Sequence, residues 1–82
     1  MEEWFVYALQ NLKDKNLYIG ISRNPEQRVR IHNQGKTDST KIRRPFILIF
    51  KEHCGSLKEA RGKEKYYKSG SGREILKKAI PR

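Results

Sequence analysis

One cysteine, Cys54, in 82 residues leaves no partner for an internal disulfide and no companion for a zinc site, which points to a reducing compartment, the cytoplasm. Cys54 reads as a structural bystander. No apolar run approaches the ~20 residues a membrane helix needs; the longest, PFILIF at 45–50, is strand-sized. No leader with an apolar centre opens the chain either, so secretion and membrane spanning are not expected. Internal repeats, low-complexity tracts and long linkers are also missing, and residues 1–82 read as one domain with one modest core.

Acidic residues are scarce. Nine Asp and Glu against 19 Lys and Arg give a formal net charge of +10, and such a surface attracts polyanions. A solubility surface, a ribosomal protein and a membrane-surface protein would share that charge, but nucleic acid is the commonest partner of so small and basic a domain. Hydrophobic residues at 35% and regular periodicities place the chain among folded proteins rather than disordered ones.

WFVYAL (4–9) is rich in aromatic and β-branched residues and suits a strand, KDKN (13–16) supplies turn chemistry, and LYIGIS (17–22) suits a second strand. Together they predict an antiparallel β-hairpin. Alternation puts Leu17, Ile19 and Ile21 on one face and Tyr18, Gly20 and Ser22 on the other. Gly20 beside Tyr18 is open to two readings: a gap above the sheet for a ligand or backbone, or a bulge or twist point.

Asn24 as N-cap, Pro25 in the first turn, Gln27 completing a capping box and Gly35 as a left-handed terminator predict a helix over 25–34. Helical spacing puts Pro25, Arg28, Val29, Ile31 and His32 on one broad inward arc and Glu26, Gln27, Arg30 and Asn33 outside. GKTDSTKIRRP (35–45) reads as a polar, basic loop approaching the partner, with Lys36, Ser39, Thr40, Lys41, Arg43 and Arg44 as its nucleic-acid contacts. FILIFKEH (46–53) is expected as a third strand buried on both faces. Ser56 with Glu59 caps a helix to about Ser69, and Ser71 with Glu74 caps a last one. The Ile75, Leu76, Ala79 and Ile80 stripe of that last helix is expected in the core.

In the helix after Ser56 the inward arc holds Leu57, Ala60, Glu64 and Tyr67, with Lys58, Lys65 and Ser69 opposite. Two ionised groups, Arg28 and Glu64, therefore fall where apolar side chains belong. A charge on a packing face is costly unless paired, bound to a metal or set at the mouth of a cleft. One reading pairs Arg28 with Glu64 in a partly buried salt bridge that does no chemistry. The other puts both on the wall of an anion-binding cleft, together with His32, the tyrosines and the basic loop. That set suits a phosphodiester: a guanidinium for charge on phosphate, a carboxylate for a hard cation, and phenol or imidazole to orient or deprotonate water. A single inward carboxylate favours one metal ion over two, and Mg²⁺, or Mn²⁺ in its place, over a dedicated cage.

These residues resemble the GIY-YIG nuclease domain family, from Trp4 to about Ile80. Tyr18, Ile19 and Gly20 form the second signature intact; Phe5, Val6 and Tyr7 stand where the first has Gly, Ile and Tyr. Arg28 lies ten residues after Tyr18, at the family's arginine position, His32 four residues further on matches a histidine many members carry, and Glu64 in EARGKEKYYKSG aligns with the family glutamate. The resemblance implies an α+β fold, a small three-stranded antiparallel sheet flanked by helices in the order β-β-α-β-α-α. It implies Mg²⁺-dependent strand nicking of DNA, in repair or recombination. In that scheme Glu64 holds the metal, Arg28 stabilises the phosphate, and Tyr7 and Tyr18 position or deprotonate water, with Tyr18 the commonest candidate for general base. A catalytically idle DNA-binding module of the same fold is the alternative, and a protein partner supplying specificity is a third.

Overall fold

The aromatic stretch at the start does form a strand, and Asn11 decides where it stops. The Asn11 side-chain oxygen accepts the backbone N–H groups of Lys13 and Asp14 at 2.8 and 3.0 Å, folding the chain into a turn. Lys15 in the left-handed region (φ +64°) completes the reversal. The computed structural model describes residues 3–35 and 45–79. Along them run β1 (Trp4–Asn11), β2 (Leu17–Ser22), α1 (Pro25–Asn33), β3 (Phe46–Gly55), α2 (Leu57–Lys68) and α3 (Gly70–Ala79). This is the α+β order expected from the sequence.

The sheet is antiparallel with strand order β2-β1-β3. The central strand is therefore β1, and its Val6, Ala8 and Leu9 are wholly buried. Burial of β3 on both faces does not hold: it is an edge strand, Phe46 is buried and Ile47 is 42% exposed. A short apolar run has the same composition at the edge of a sheet as at its centre, so the sequence pattern could not separate the two.

Two apolar clusters sandwich the sheet. Val6, Ala8, Ile19 and Cys54 pack with Ala60 and Tyr67 of α2 and Leu76 of α3, while Tyr7, Leu9 and Phe46 pack on the other face with Tyr18 and Val29 of α1. The helix boundaries follow their caps. Asn24 accepts the Gln27 N–H at 3.2 Å and Ser56 accepts the Glu59 N–H at 3.1 Å. Gly35 (φ +77°) closes α1 as expected.

The last helix begins earlier than the sequence suggested. Ser69, not Ser71, accepts the Gly72 N–H, at 3.4 Å. A Cβ on Gly72 would come within 2.1 Å of the Tyr66 carbonyl oxygen, so α3 starts hard against the end of α2. That angle buries Leu76 and leaves Ile75 50% exposed, against the expected core stripe. Burying a leucine of this kind is worth roughly 1.5–3 kcal/mol. The side chains of Ala79 and Ile80 lie outside the described residues. No helix among the described residues is long and apolar enough to cross a membrane.

Candidate functional site

The site grows from one cross-strand pair. Tyr7 and Gly20 stand opposite each other in the β1–β2 register. A Cβ at position 20 would lie 2.7 Å from the Tyr7 hydroxyl oxygen and 2.9 Å from Cζ, so the phenol lies across the glycine. Of the two readings of Gly20, the gap is filled by the protein's own backbone-facing phenol, Tyr7. Tyr7 is 2% exposed. Burial pushes its phenol up to about 12, helped by the neighbouring Tyr18 and by the Glu64 carboxylate; Arg28, within hydrogen-bonding reach of the oxygen, opposes them. Tyr7 is therefore protonated at neutral pH.

Helix α1 supplies the next two groups. The arc read from the sequence holds: Pro25 and His32 are buried, Arg28, Val29 and Ile31 half-buried, and Glu26, Gln27, Arg30 and Asn33 exposed. Asn33 is nevertheless bonded to both backbone groups of Phe46, donating to its carbonyl at 2.9 Å and accepting its N–H at 2.7 Å. The His32 ring meets Tyr18 edge-on, centroids 4.9 Å apart and planes at 62°, with Phe46 behind it at 6.1 Å. Burial, and then the Arg28 charge, hold the imidazole below its ordinary range, so His32 is neutral at pH 7.

Glu64 comes from α2, between the buried Ala60 and Tyr67. Its carboxylate is half-buried and takes Lys68 Nζ at 3.3 Å. Among the described residues Arg28 forms no ion pair, so the inert Arg28–Glu64 bridge is not what the inward charges make. Tyr7 instead lies within electrostatic reach of Tyr18, Arg28 and Glu64 together, and His32 adjoins Tyr18 and Arg28. All five residues singled out from the sequence as catalytic candidates thus converge. Lys36, Ser39, Thr40, Lys41, Arg43 and Arg44 lie outside the described residues.

Among the described residues no three His, Cys, Asp or Glu side chains gather as a metal cage. A lone half-buried carboxylate fits a hard, hydrated cation that keeps most of its waters and borrows oxygens from a substrate, and does not fit a cage of protein ligands. A separate cleft of about 570 Å³ lies between β3 and α2, lined by His53, Cys54, Glu59, Lys63 and Tyr66, and shares none of these five residues.

Sequence reasoning missed two things here. It left Gly20 between an opening and a bulge because it paired the glycine with its neighbour Tyr18 rather than with the residue across the hairpin; extending the register from the turn would have met Tyr7. It also gave Asn33, set outward as it is in the structure, no partner, because an arc on a helix says nothing about a side chain that reaches sideways to a strand end.

The family model of the GIY-YIG catalytic domain matches residues 3–78. A UPF0213 protein of Staphylococcus haemolyticus is 38% identical over 78 residues, 94% of each chain. The UPF0213 protein YazA of Bacillus subtilis is 40% identical over 65 residues, 78% of this chain and 65% of that one. The solution NMR structure of a UPF0213 protein from Bacillus halodurans superposes with a TM-score of 0.55 at 30% identity, covering 93% of this chain and 83% of that one.

Proposed function

Since the chain belongs to the GIY-YIG catalytic-domain family, a nuclease superfamily whose members generally use a divalent metal, we propose that it is a DNA endonuclease nicking one strand with a single Mg²⁺ or Mn²⁺ ion. The observation that carries the reading is the convergence of the Arg28 guanidinium, the Glu64 carboxylate and the Tyr18 phenol on the Tyr7 phenol, with the neutral His32 imidazole against Tyr18. A structural cluster of this composition would pair its charges; here Arg28 is left facing the Tyr7 phenol.

Arg28 takes the roles its chemistry allows: it binds the scissile phosphate and meets the charge that develops on its oxygens. Tyr7 keeps its proton and donates a hydrogen bond, orienting water or a phosphate oxygen. Tyr18, half-buried against neutral His32, relays the proton of the attacking water, taking it on the phenolic oxygen as its own hydroxyl proton passes on to the imidazole or to solvent. Glu64 would hold the cation, which when bound neutralises phosphate charge and acidifies a coordinated water. Lys36, Ser39, Thr40, Lys41, Arg43 and Arg44 supply affinity for the DNA backbone, and the matched residues 3–78 act as one catalytic unit. Repair or recombination in the cytoplasm is the setting, with the single buried Cys54 suited to a reducing compartment.

The test is nicking of labelled duplex, single-stranded and branched DNA in Mg²⁺, Mn²⁺ or EDTA, comparing the parent with Glu64→Ala. Metal-dependent cutting by the parent and retained DNA binding without cutting by the variant are expected. Binding without cutting by the parent on every substrate would favour an idle module, or a missing protein partner.

A further inference from the structure

A second cleft, of about 390 Å³, opens where β2 runs into α1, and Arg28 is part of its lining. It joins the two faces of the sheet. Trp4 and Ile21, which pack against the core cluster under α2, line it together with Arg23 and Gln27 from the connection and the first turn of α1. Its size falls in the ordinary range of ligand sites, roughly 300–1,000 Å³.

Some of its polar groups are occupied by local structure. Ser22 Oγ accepts the Asn24 N–H at 3.0 Å, and Asn24 caps α1 through the Gln27 N–H at 3.2 Å. The side chains left to meet a ligand are Arg23, Gln27 and Trp4. Arg23 is exposed and forms no ion pair among the described residues. Glu26, the acidic residue of the first turn, is taken by Lys51, which leaves the cleft to its two arginines. The Trp4 indole is half-buried, and its Nε1 is buried with no hydrogen-bond partner among the described residues.

A cation, an indole and a side-chain amide beside a phosphate-binding arginine match the parts of one nucleotide: phosphate, base and polar base edge. An indole takes a base by stacking, and a base stacks on a side chain only when it has left its own helix. We propose that Trp4 and Arg23 form a subsite for an unpaired nucleotide next to the phosphate held by Arg28. The domain then cuts strands whose base beside the cut is unpaired, such as flaps, branches and single strands, in preference to perfect duplex. This subsite presupposes the nuclease reading only in placing the scissile phosphate at Arg28.

Trp4 is the only tryptophan of the chain, so its emission reports on the subsite directly. The parent is titrated in EDTA, where nothing is cut, with a short oligothymidylate and with a matched duplex, binding being followed in parallel by anisotropy of the labelled DNA. Saturable change of Trp4 emission by the single strand, weaker change by the duplex, and about tenfold weaker single-strand binding in Trp4→Leu are expected. Arg23→Ala, which leaves the core untouched, should weaken it about fivefold. In Mg²⁺ Arg23→Ala should raise KM for a flap more than it lowers kcat and shrink the flap-to-duplex preference. Binding seen by anisotropy with Trp4 emission unmoved, or a flap-to-duplex preference equal in parent and Arg23→Ala, would overturn the subsite. A parent that never cuts removes the nuclease reading, yet its emission titration still decides whether the cleft takes a nucleotide.

Discussion

Tyr7 occupies the space that a side chain on Gly20 would need, its hydroxyl oxygen 2.7 Å from where a Cβ would stand. The glycine of the second signature is thus explained by the tyrosine of the first. Gly20→Ala should drive the phenol off its seat, cost about 1–3 kcal/mol of stability and slow cleavage. Because the nearest clash is with the hydroxyl, Tyr7→Phe in the Gly20→Ala background should recover part of that loss. Urea unfolding of the two single variants and the double variant measures the coupling, and strictly additive losses would refute the contact.

In the proposed reading Arg28 contacts one phosphate among the several a basic domain touches. Arg28→Ala should lower the cleavage rate by about 10²–10³ while shifting the dissociation constant for DNA by less than about threefold. Lysine should rescue little, since an ammonium lacks the planar fork of a guanidinium. Matching losses in rate and affinity would make Arg28 a plain phosphate clamp.

Asn33 binds both backbone groups of Phe46. Asn33→Ala would strip the end of β3 of a donor and an acceptor at once, and should cost about 1–3 kcal/mol. An unchanged denaturation midpoint would show that water takes over both bonds.

His32 gives the molecule an acid limit. Burial and Arg28 lower its pKa in the folded state, so the unfolded chain binds the proton more tightly. As pH falls below about 6.5, the unfolded state is protonated first and stability drops; above that value the contribution is full and constant. Thermal unfolding followed from neutral to mildly acidic pH should show a falling midpoint, with a shallower fall in His32→Gln. Parallel curves for parent and variant would assign the acid sensitivity elsewhere.

Much of this arrangement was legible before any coordinates. Asn24, Ser56 and Gly35 marked helix ends because their side chains, or the lack of one, act on the nearest backbone groups. Arg28, His32 and Glu64 stood out because helical spacing turns them inward whatever they touch. What stayed hidden depended on contacts between distant residues: which strand is central, what fills the space over Gly20, and that Lys68 rather than Arg28 meets Glu64. Ser71 misled for a local reason, since Ser69 offers the same hydroxyl two residues earlier and the close fit of Gly72 against α2 selects it. The Trp4–Arg23 cleft had no signature at all, because it joins the first residue of β1 to the turn after β2.

The Asn33–Phe46 clasp closes the chain into a ring whose two ends are held independently of everything between them. Lengthening such a ring costs only about 0.6 kcal/mol per doubling. The stretch it spans includes Lys36, Lys41, Arg43 and Arg44, so the cations proposed to grip the DNA backbone can be exchanged at little expense to the chemistry. Descendants of this chain could change what they hold on to by rewriting that span while Tyr7, Arg28 and Glu64 stay as they are.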